Sequence, residues 1–167
     1  MIYIDCGYYA GIALKQYKKD GIVDDSWTIY AFEPNPELNY PGPKLIRKAV
    51  WIKEGEMTFN VGGRHDAGHL NGIAGGGEEK QITVETMDFS EFVGELPDDY
   101  IICSMDIEGA EWQVLRKMIH DGTMSKINLL DVEMHHRISS EYYKEEAEEL
   151  VKKIEDLGVT VSLKVEL

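Results

Sequence analysis

Runs of apolar residues alternate along the chain with amphipathic and glycine-containing segments. The runs predict strands over 2–6, 28–34, 44–52, 100–107 and 127–135. Near-continuous apolar runs of this kind are typical of strands in the buried middle of a parallel sheet. Alternation of polar and apolar residues predicts three more strands. Of these, 55–61 and 80–87 read as an antiparallel hairpin, and 159–167 reads as a strand near a sheet edge.

Helical patterns separate these strands. A short helix is predicted over 10–19 and another over 110–121, with Gly122 just past its end. Asp88 is a predicted N-cap, with Glu91 three residues on in a variant of the capping box. A long helix follows Ser139 or Ser140 and ends at Gly158; its apolar face comprises Tyr143, Ala147, Leu150, Val151, Ile154 and Leu157. The alternation of strands and helices predicts an α/β fold with a mostly parallel, doubly wound sheet and an inserted β-hairpin.

A glycine-rich segment interrupts the predicted hairpin. Residues 62–77 hold seven of the sixteen glycines, so no regular structure is expected there. One interpretation is a mobile hairpin loop. The other is a lid or substrate loop that uses Arg64, His65 and His69.

Composition narrows the class of protein. We expect a single domain over 1–167, because 167 residues with 43% hydrophobic content can bury a sizeable core. No apolar run approaches the ~20 residues of a membrane span and no signal-peptide pattern is seen, which predicts a soluble cytoplasmic protein. The net charge of −14 argues against general binding to nucleic acid. Cys6 and Cys103 lie in apolar runs and are predicted to be buried and reduced.

The opening stretch, "MIYIDCGYYAG", combines a strand, an acid and two glycines. In open α/β sheets, ligands bind outside the carboxyl ends of the strands. Gly7 permits a tight turn after the first strand, and Gly11 permits close packing of the helix. Glu33 follows the second strand, where an acid can accept both hydroxyls of a ribose. These residues together indicate an adenosine-containing ligand.

The loop after the first strand favours S-adenosylmethionine over a dinucleotide. It lacks the three glycines of the dinucleotide fingerprint, and Tyr8 and Tyr9 would crowd a pyrophosphate. Asp5 is badly placed for a phosphate but well placed for an ammonium group. S-adenosylmethionine carries an ammonium, a ribose and an adenine, and it has no phosphate.

Four segments resemble the FkbM-type family of S-adenosylmethionine-dependent methyltransferases, in the order of that family. They are "IDCGYYAG" (4–11), "AFEPNP" (31–36), "MDIEGAEWQVL" (105–115) and "DVEMH" (131–135). The resemblance implies a Rossmann-like class I methyltransferase fold, with Asp5 and Gly7 near the methionine part of the cofactor and Glu33 at its ribose. It also implies that the first strand lies beside the fourth parallel strand, which would place Cys6 close to Cys103.

Acids and a histidine follow the two last buried strands. Asp106 and Glu108 follow one, and Glu133 and His135 end the next. We expect these side chains to converge near the methyl group of the cofactor. His135 is the first candidate for a general base because an ordinary imidazole titrates near neutral pH, and Asp106 is the second. Glu108 and Glu133 are candidates for contacts with a substrate or a divalent ion, although no strict metal-ligand spacing is present.

The sequence therefore predicts an O-methyltransferase that uses S-adenosylmethionine and acts on a hydroxyl of a small molecule or sugar. A non-catalytic module that binds S-adenosylmethionine or a similar adenosine ligand is the first alternative. A nicotinamide-dependent oxidoreductase is the second, and the missing third glycine and Asp5 count against it.

Overall fold

The computed structural model describes residues 1–38, 40–61, 69–70, 80–135 and 143–165. Strands and helices alternate through most of this part of the chain. Thr123–Lys126 form a short 3-10 helix. In chain order the other elements are β1 Ile2–Cys6, α1 Ile12–Lys19, β2 Thr28–Phe32, β3 Leu45–Ile46, β4 Ala49–Trp51, β5 Gly55–Val61, β6 His69–Leu70, β7 Lys80–Asp88, α2 Phe89–Glu95, β8 Ile101–Met105, α3 Glu111–Asp121, β9 Leu129–Met134, α4 Tyr143–Glu155 and β10 Thr160–Val165.

The larger sheet has six strands in the order β10-β9-β8-β1-β2-β3, and every neighbouring pair is parallel. The carboxyl ends of all six strands therefore lie along one edge. Strand order reverses between β1 and β8, which is the switch point where α/β sheets bind ligands. The predicted α/β fold is confirmed, and β10 lies at the sheet edge where its alternating pattern placed it.

Helices cover both faces of this sheet. Leu14 of α1 packs with Tyr3 of β1 on one face. On the other face, α2, α3 and α4 pack over Ile4 and Cys6 in the largest apolar cluster. Because side chains alternate along a strand, Tyr3 and Asp5 share the face that α1 covers. The sheet is doubly wound, as predicted.

The second sheet has four strands in the order β4-β7-β5-β6. β5 and β7 pair antiparallel from Gly55↔Thr86 to Val61↔Lys80, which confirms the predicted hairpin. One expectation for 62–77 is wrong, because His69 and Leu70 form a short strand paired with β5. The other residues of that segment, Arg64 and His65 among them, lie outside the described residues.

The apolar run 44–52 is not the single strand that was predicted. It divides into β3, which pairs with β2 in the larger sheet, and β4, which pairs with β7 in the second. Arg47 lies between them and donates from Nη1 to the carbonyl of Asn35 at 2.7 Å and from Nη2 to that of Leu38 at 2.7 Å. These bonds hold the Arg47 side chain over the segment after β2. The chain passes from the larger sheet to the second sheet at Arg47.

The helix ends agree with the predicted signals where the structure describes them. The Asp88 carboxylate accepts the backbone N–H of Glu91 at 3.1 Å, so the predicted N-cap is confirmed. Gly122 follows α3 with φ 78°, and α1 begins at Ile12 rather than at residue 10. Ser139 and Ser140 lie outside the described residues. Leu157 was placed on the apolar face of the long helix, but α4 ends at Glu155 and Leu157 is exposed.

Both cysteines are free thiols buried on adjacent strands, Cys6 on β1 and Cys103 on β8, as the resemblance implied. Among the helices that the structure describes, none is both long enough and apolar enough to cross a lipid bilayer.

Candidate functional site

Asp5 lies at the carboxyl end of β1, on the face that α1 covers. Only 3% of the residue is exposed, and its Oδ2 atom has no hydrogen-bond partner among the described residues. Burial, opposed by a backbone hydrogen bond from Leu14 and supported by the nearby Asp106 and Glu33 carboxyls, raises the pKa of the Asp5 carboxyl to about 7. An unpartnered buried acceptor is costly, so the Oδ2 of Asp5 calls for a donor from outside the described residues.

Glu33 follows β2, the neighbour of β1, and is also buried. Its Oε1 accepts the N–H of Asn35 at 2.8 Å and its Oε2 accepts the N–H of Tyr9 at 3.1 Å. Burial raises the pKa of Glu33, while these two hydrogen bonds and the Arg47 charge act to lower it. Each carboxylate oxygen has two lone pairs, so both retain capacity for a further donor.

The two predicted loop glycines are required by close contacts within the protein. A Cβ on Gly7 would lie 1.8 Å from the carbonyl oxygen of Asp106, so the loop after β1 rests directly on the loop after β8. A Cβ on Gly11 would lie 2.5 Å from the Tyr8 ring, which is buried under α1. The predicted cofactor contacts of both glycines stay predictions.

Asp106 follows β8, whose last residue, Met105, pairs with Val132, and the next residue of β9, Glu133, pairs with Lys164 of β10. Its side chain is 53% exposed. Nevertheless, desolvation by the surrounding protein, opposed by the charge of His135 and supported by those of Glu133 and Glu111, raises the pKa of Asp106 to about 6. Asp106 is therefore an accessible carboxyl with enhanced basicity.

His135 ends β9 and is almost completely buried, with 4% of its side chain exposed. Its Nδ1 lies 3.0 Å from Oε1 of Glu111, a residue with no exposed surface. The Glu111 carboxylate also accepts the N–H groups of Ile107, at 2.9 Å, and Gly109, at 2.9 Å. Glu111 thus fixes both the loop after β8 and the orientation of the imidazole.

The second ring nitrogen of His135 faces two acids. Nε2 lies 3.5 Å from Oδ1 of Asp106 and 3.8 Å from Oε2 of Glu108. Glu108 adopts φ 57°, a backbone conformation uncommon for a residue with a side chain. One ligand atom from each of Asp106, Glu108 and His135 lies within 4.8 Å of the others, so these three residues are able to hold a metal ion.

The structure therefore brings most of the predicted residues to one edge of the sheet. Asp106, Glu108 and His135 form one group, and Asp5 and Glu33 lie at the ends of the two strands beside it. Glu133 lies next to Asp106 but is not part of the group of three. The site residue that the sequence did not single out is Glu111, an acid in the first turn of α3. Nothing in the sequence pairs it with a histidine 24 positions away.

A family model for the methyltransferase FkbM domain matches residues 5–160. The chain belongs to the FkbM methyltransferase family. No curated protein and no solved structure matches the chain. The matched range of this FkbM methyltransferase domain includes every residue of the site described above, from Asp5 to His135, which confirms the resemblance seen in the four sequence segments.

Proposed function

We propose that this FkbM methyltransferase domain uses S-adenosylmethionine and transfers a methyl group to a hydroxyl of a small molecule or sugar. The observation that carries the proposal is the pair of buried carboxyls, Asp5 and Glu33, at the carboxyl ends of the adjacent strands β1 and β2. A methyltransferase needs a methyl donor, and the switch point of this sheet presents acceptors for an ammonium group and for ribose hydroxyls.

The residues present fit that cofactor. The unpartnered Oδ2 of Asp5 suits the ammonium group, because a charged donor would compensate the buried carboxylate. Glu33 suits the ribose, because each of its oxygens has a remaining lone pair beside the hydrogen bonds from Tyr9 and Asn35. The loop does not offer the glycine cradle that a pyrophosphate needs, because the Tyr8 ring occupies the space beside Gly11.

S-adenosylmethionine supplies a methyl group on a positively charged sulfur, which is already activated for displacement. The protein then has to align the acceptor and receive the proton of its hydroxyl. Asp106 is the better candidate for contact with the acceptor, because about half of its side chain is exposed to solvent whereas the His135 side chain is buried. In this arrangement the Asp106 carboxylate accepts the proton, and His135, held by Glu111, orients Asp106 or takes up the proton in its place.

Calorimetry with S-adenosylhomocysteine tests the cofactor assignment. Replacing Glu33 by Ala removes a charged acceptor for two hydroxyls, and we expect the binding free energy to weaken by about 1.5–3 kcal/mol. Glu37→Ala is the matched control, because Glu37 is an exposed acid on the same segment that pairs with Lys80. Its affinity should equal that of the wild type. Equal affinity of Glu33→Ala and Glu37→Ala would refute the ribose role, provided that both variants melt as folded proteins.

Turnover tests the acceptor end of the site. Once an acceptor is known, we expect Asp106→Asn and His135→Ala to lower kcat by about 10²–10⁴-fold, the usual contribution of a general base. The dissociation constant for S-adenosylhomocysteine should remain near that of the wild type. Wild-type kcat in both variants would show that neither residue receives the proton.

A further inference from the structure

The group formed by Asp106, Glu108 and His135 has the composition of a divalent metal site. It combines one imidazole nitrogen with two carboxylates, and one ligand atom from each residue lies within 4.8 Å of the others. Bonds from a divalent ion to such ligands are about 2.0–2.4 Å long, so one ion spans up to about 4–4.8 Å between opposite ligands. Three side chains at these separations can therefore contact a single ion with little movement.

Two distances within the group are compatible with neighbouring ligands of one ion. Nε2 of His135 lies 3.5 Å from Oδ1 of Asp106 and 3.8 Å from Oε2 of Glu108. Ligands that are neighbours on a tetrahedral ion with bonds of about 2.1 Å lie about 3.4 Å apart. The two distances from Nε2 are close to that separation.

Glu111 gives the imidazole the support that metal-binding histidines usually have. Such a histidine donates its other N–H to a carboxylate, which fixes the ring and leaves the remaining nitrogen for the metal. Here Nδ1 of His135 lies 3.0 Å from Glu111, whose carboxylate is fully buried and anchored by the N–H groups of Ile107 and Gly109. Nε2 is thereby directed at the two exposed or half-buried acids.

Further carboxyls lie at the same edge of the sheet. Asp5 lies near the end of β1, the strand beside β8, and is buried. Met105, the residue before Asp106, pairs with Val132, and the next residue of β9, Glu133, pairs with Lys164 of the edge strand.

We propose that Asp106, Glu108 and His135 bind one divalent transition-metal ion, with Glu111 as the residue that positions His135. Mixed imidazole and carboxylate ligands suit Mn²⁺ and related ions, and three protein ligands leave positions open for water or an acceptor oxygen. The catalytic consequence rests on the proposed function. A hydroxyl bound to the ion would lose its proton more readily, and the proton would pass through water to the solvent, because Asp106 as a ligand would no longer accept it.

Mn²⁺ is the probe for the test. The full chain is freed of metal with EDTA, dialysed and titrated with Mn²⁺, and the unbound ion is followed by its paramagnetic resonance signal. We expect about one equivalent to bind, and Asp106→Asn and Glu108→Gln each to weaken the affinity at least tenfold. Glu133→Gln is the matched control, because Glu133 is a neighbouring acid outside the group, and it should stay within about threefold of the wild type.

The position of the ion is read from histidine proton resonances. Bound Mn²⁺ should broaden the signals of His135 before those of His120, which lies on α3 with its side chain largely exposed. The proposal is overturned if Mn²⁺, Mg²⁺ and Zn²⁺ all fail to bind at millimolar concentration. It is equally overturned if Asp106→Asn and Glu108→Gln, folded by thermal melting, bind like the wild type, or if Glu133→Gln loses as much affinity as they do.

The same samples separate this proposal from the cofactor assignment. Binding of S-adenosylhomocysteine in EDTA without any binding of Mn²⁺ would reject the metal site alone. Binding of Mn²⁺ without S-adenosylhomocysteine would reject the cofactor and leave the metal site standing.

Discussion

Among single residues, Asp5 has an ionisation that folding moves from the acidic into the neutral range. Its pKa is about 7 in the folded chain, against an ordinary value of 3.8. Between these two values the folded state holds a proton that the unfolded state has released. Stability therefore falls as the pH rises from about 4 to 7, and above pH 7 the full cost of a buried carboxylate is present. At about 1.4 kcal/mol per pH unit, that cost is about 4 kcal/mol.

Asp5→Asn should remove this dependence. We expect the variant to be more stable than the wild type at pH 8, and its advantage to shrink by roughly 2–3 kcal/mol at pH 5, where the folded wild type is protonated at Asp5. Urea unfolding at both pH values in EDTA measures the difference. Glu33, Asp106 and Tyr3 face Asp5 and are present in both proteins, so their own titration largely cancels. A stability difference that is the same at pH 5 and pH 8 would contradict the assignment.

Single residues at strand ends were predictable because strand direction places them. Asp5, Glu33 and Asp106 each follow an apolar run, and parallel strands bring such positions to one edge. Glu111 was not predictable. Its role depends on a turn between residues 106 and 110 that directs its carboxylate back to His135. From the sequence alone, the general preference for acids at helix N-termini explains a glutamate at this position equally well.

At the level of elements, the packing of α1 depends on Tyr8. The ring is buried between Gly11 and Gly42; a Cβ on Gly42 would lie 2.0 Å from its hydroxyl oxygen. The sequence reading treated both tyrosines of this loop as obstacles to a phosphate. The structure instead directs Tyr8 into the core beside Leu14, while Tyr9 packs against Tyr40 at a centroid distance of 5.6 Å.

Gly11→Ala should destabilise the protein by about 2–4 kcal/mol, from overpacking against Tyr8 together with a left-handed backbone at φ 65°. Gly21→Ala is the matched control, since Gly21 has φ 72° and no atom near its would-be Cβ. We expect it to cost only about 1–2 kcal/mol. Chemical denaturation compares the two, and equal costs would mean that the Tyr8 ring does not occupy the space beside Gly11.

The sequence predicted which segments form strands and helices better than it predicted which sheet each strand joins. The hairpin of β5 and β7 follows from its alternation, and the buried strands follow from their apolar runs. The division of 44–52 was hidden, because Arg47 breaks the run through hydrogen bonds to carbonyls of the preceding loop. The sequence around Arg47 does not show that carbonyl groups of the preceding loop will accept its hydrogen bonds.

At the scale of the whole molecule, charge is the dominant property. The chain has 31 acidic against 17 basic residues, and the resulting field opposes a polyanion. We expect no retardation of duplex DNA or RNA in a native gel at about 100 mM salt, because few phosphates can be neutralised and few counterions released. A basic DNA-binding protein on the same gel provides the positive control. A clear shift that weakens with added salt would contradict this expectation.

Gly7 lies where the loop after β1 contacts the loop after β8, so the two loops cannot move independently at this point. A Cβ on Gly7 would lie 1.8 Å from the carbonyl oxygen of Asp106, so a side chain would displace that loop, and the N–H of Asp106 donates to the carbonyl of Cys6 at 3.0 Å. Any substitution at Gly7 must therefore move the loop proposed to bind the methyl donor together with the acid proposed to contact the acceptor. A genetic screen for variants that lose only one of the two functions should recover none at this position, while single changes at Glu33 and at Asp106 should separate them.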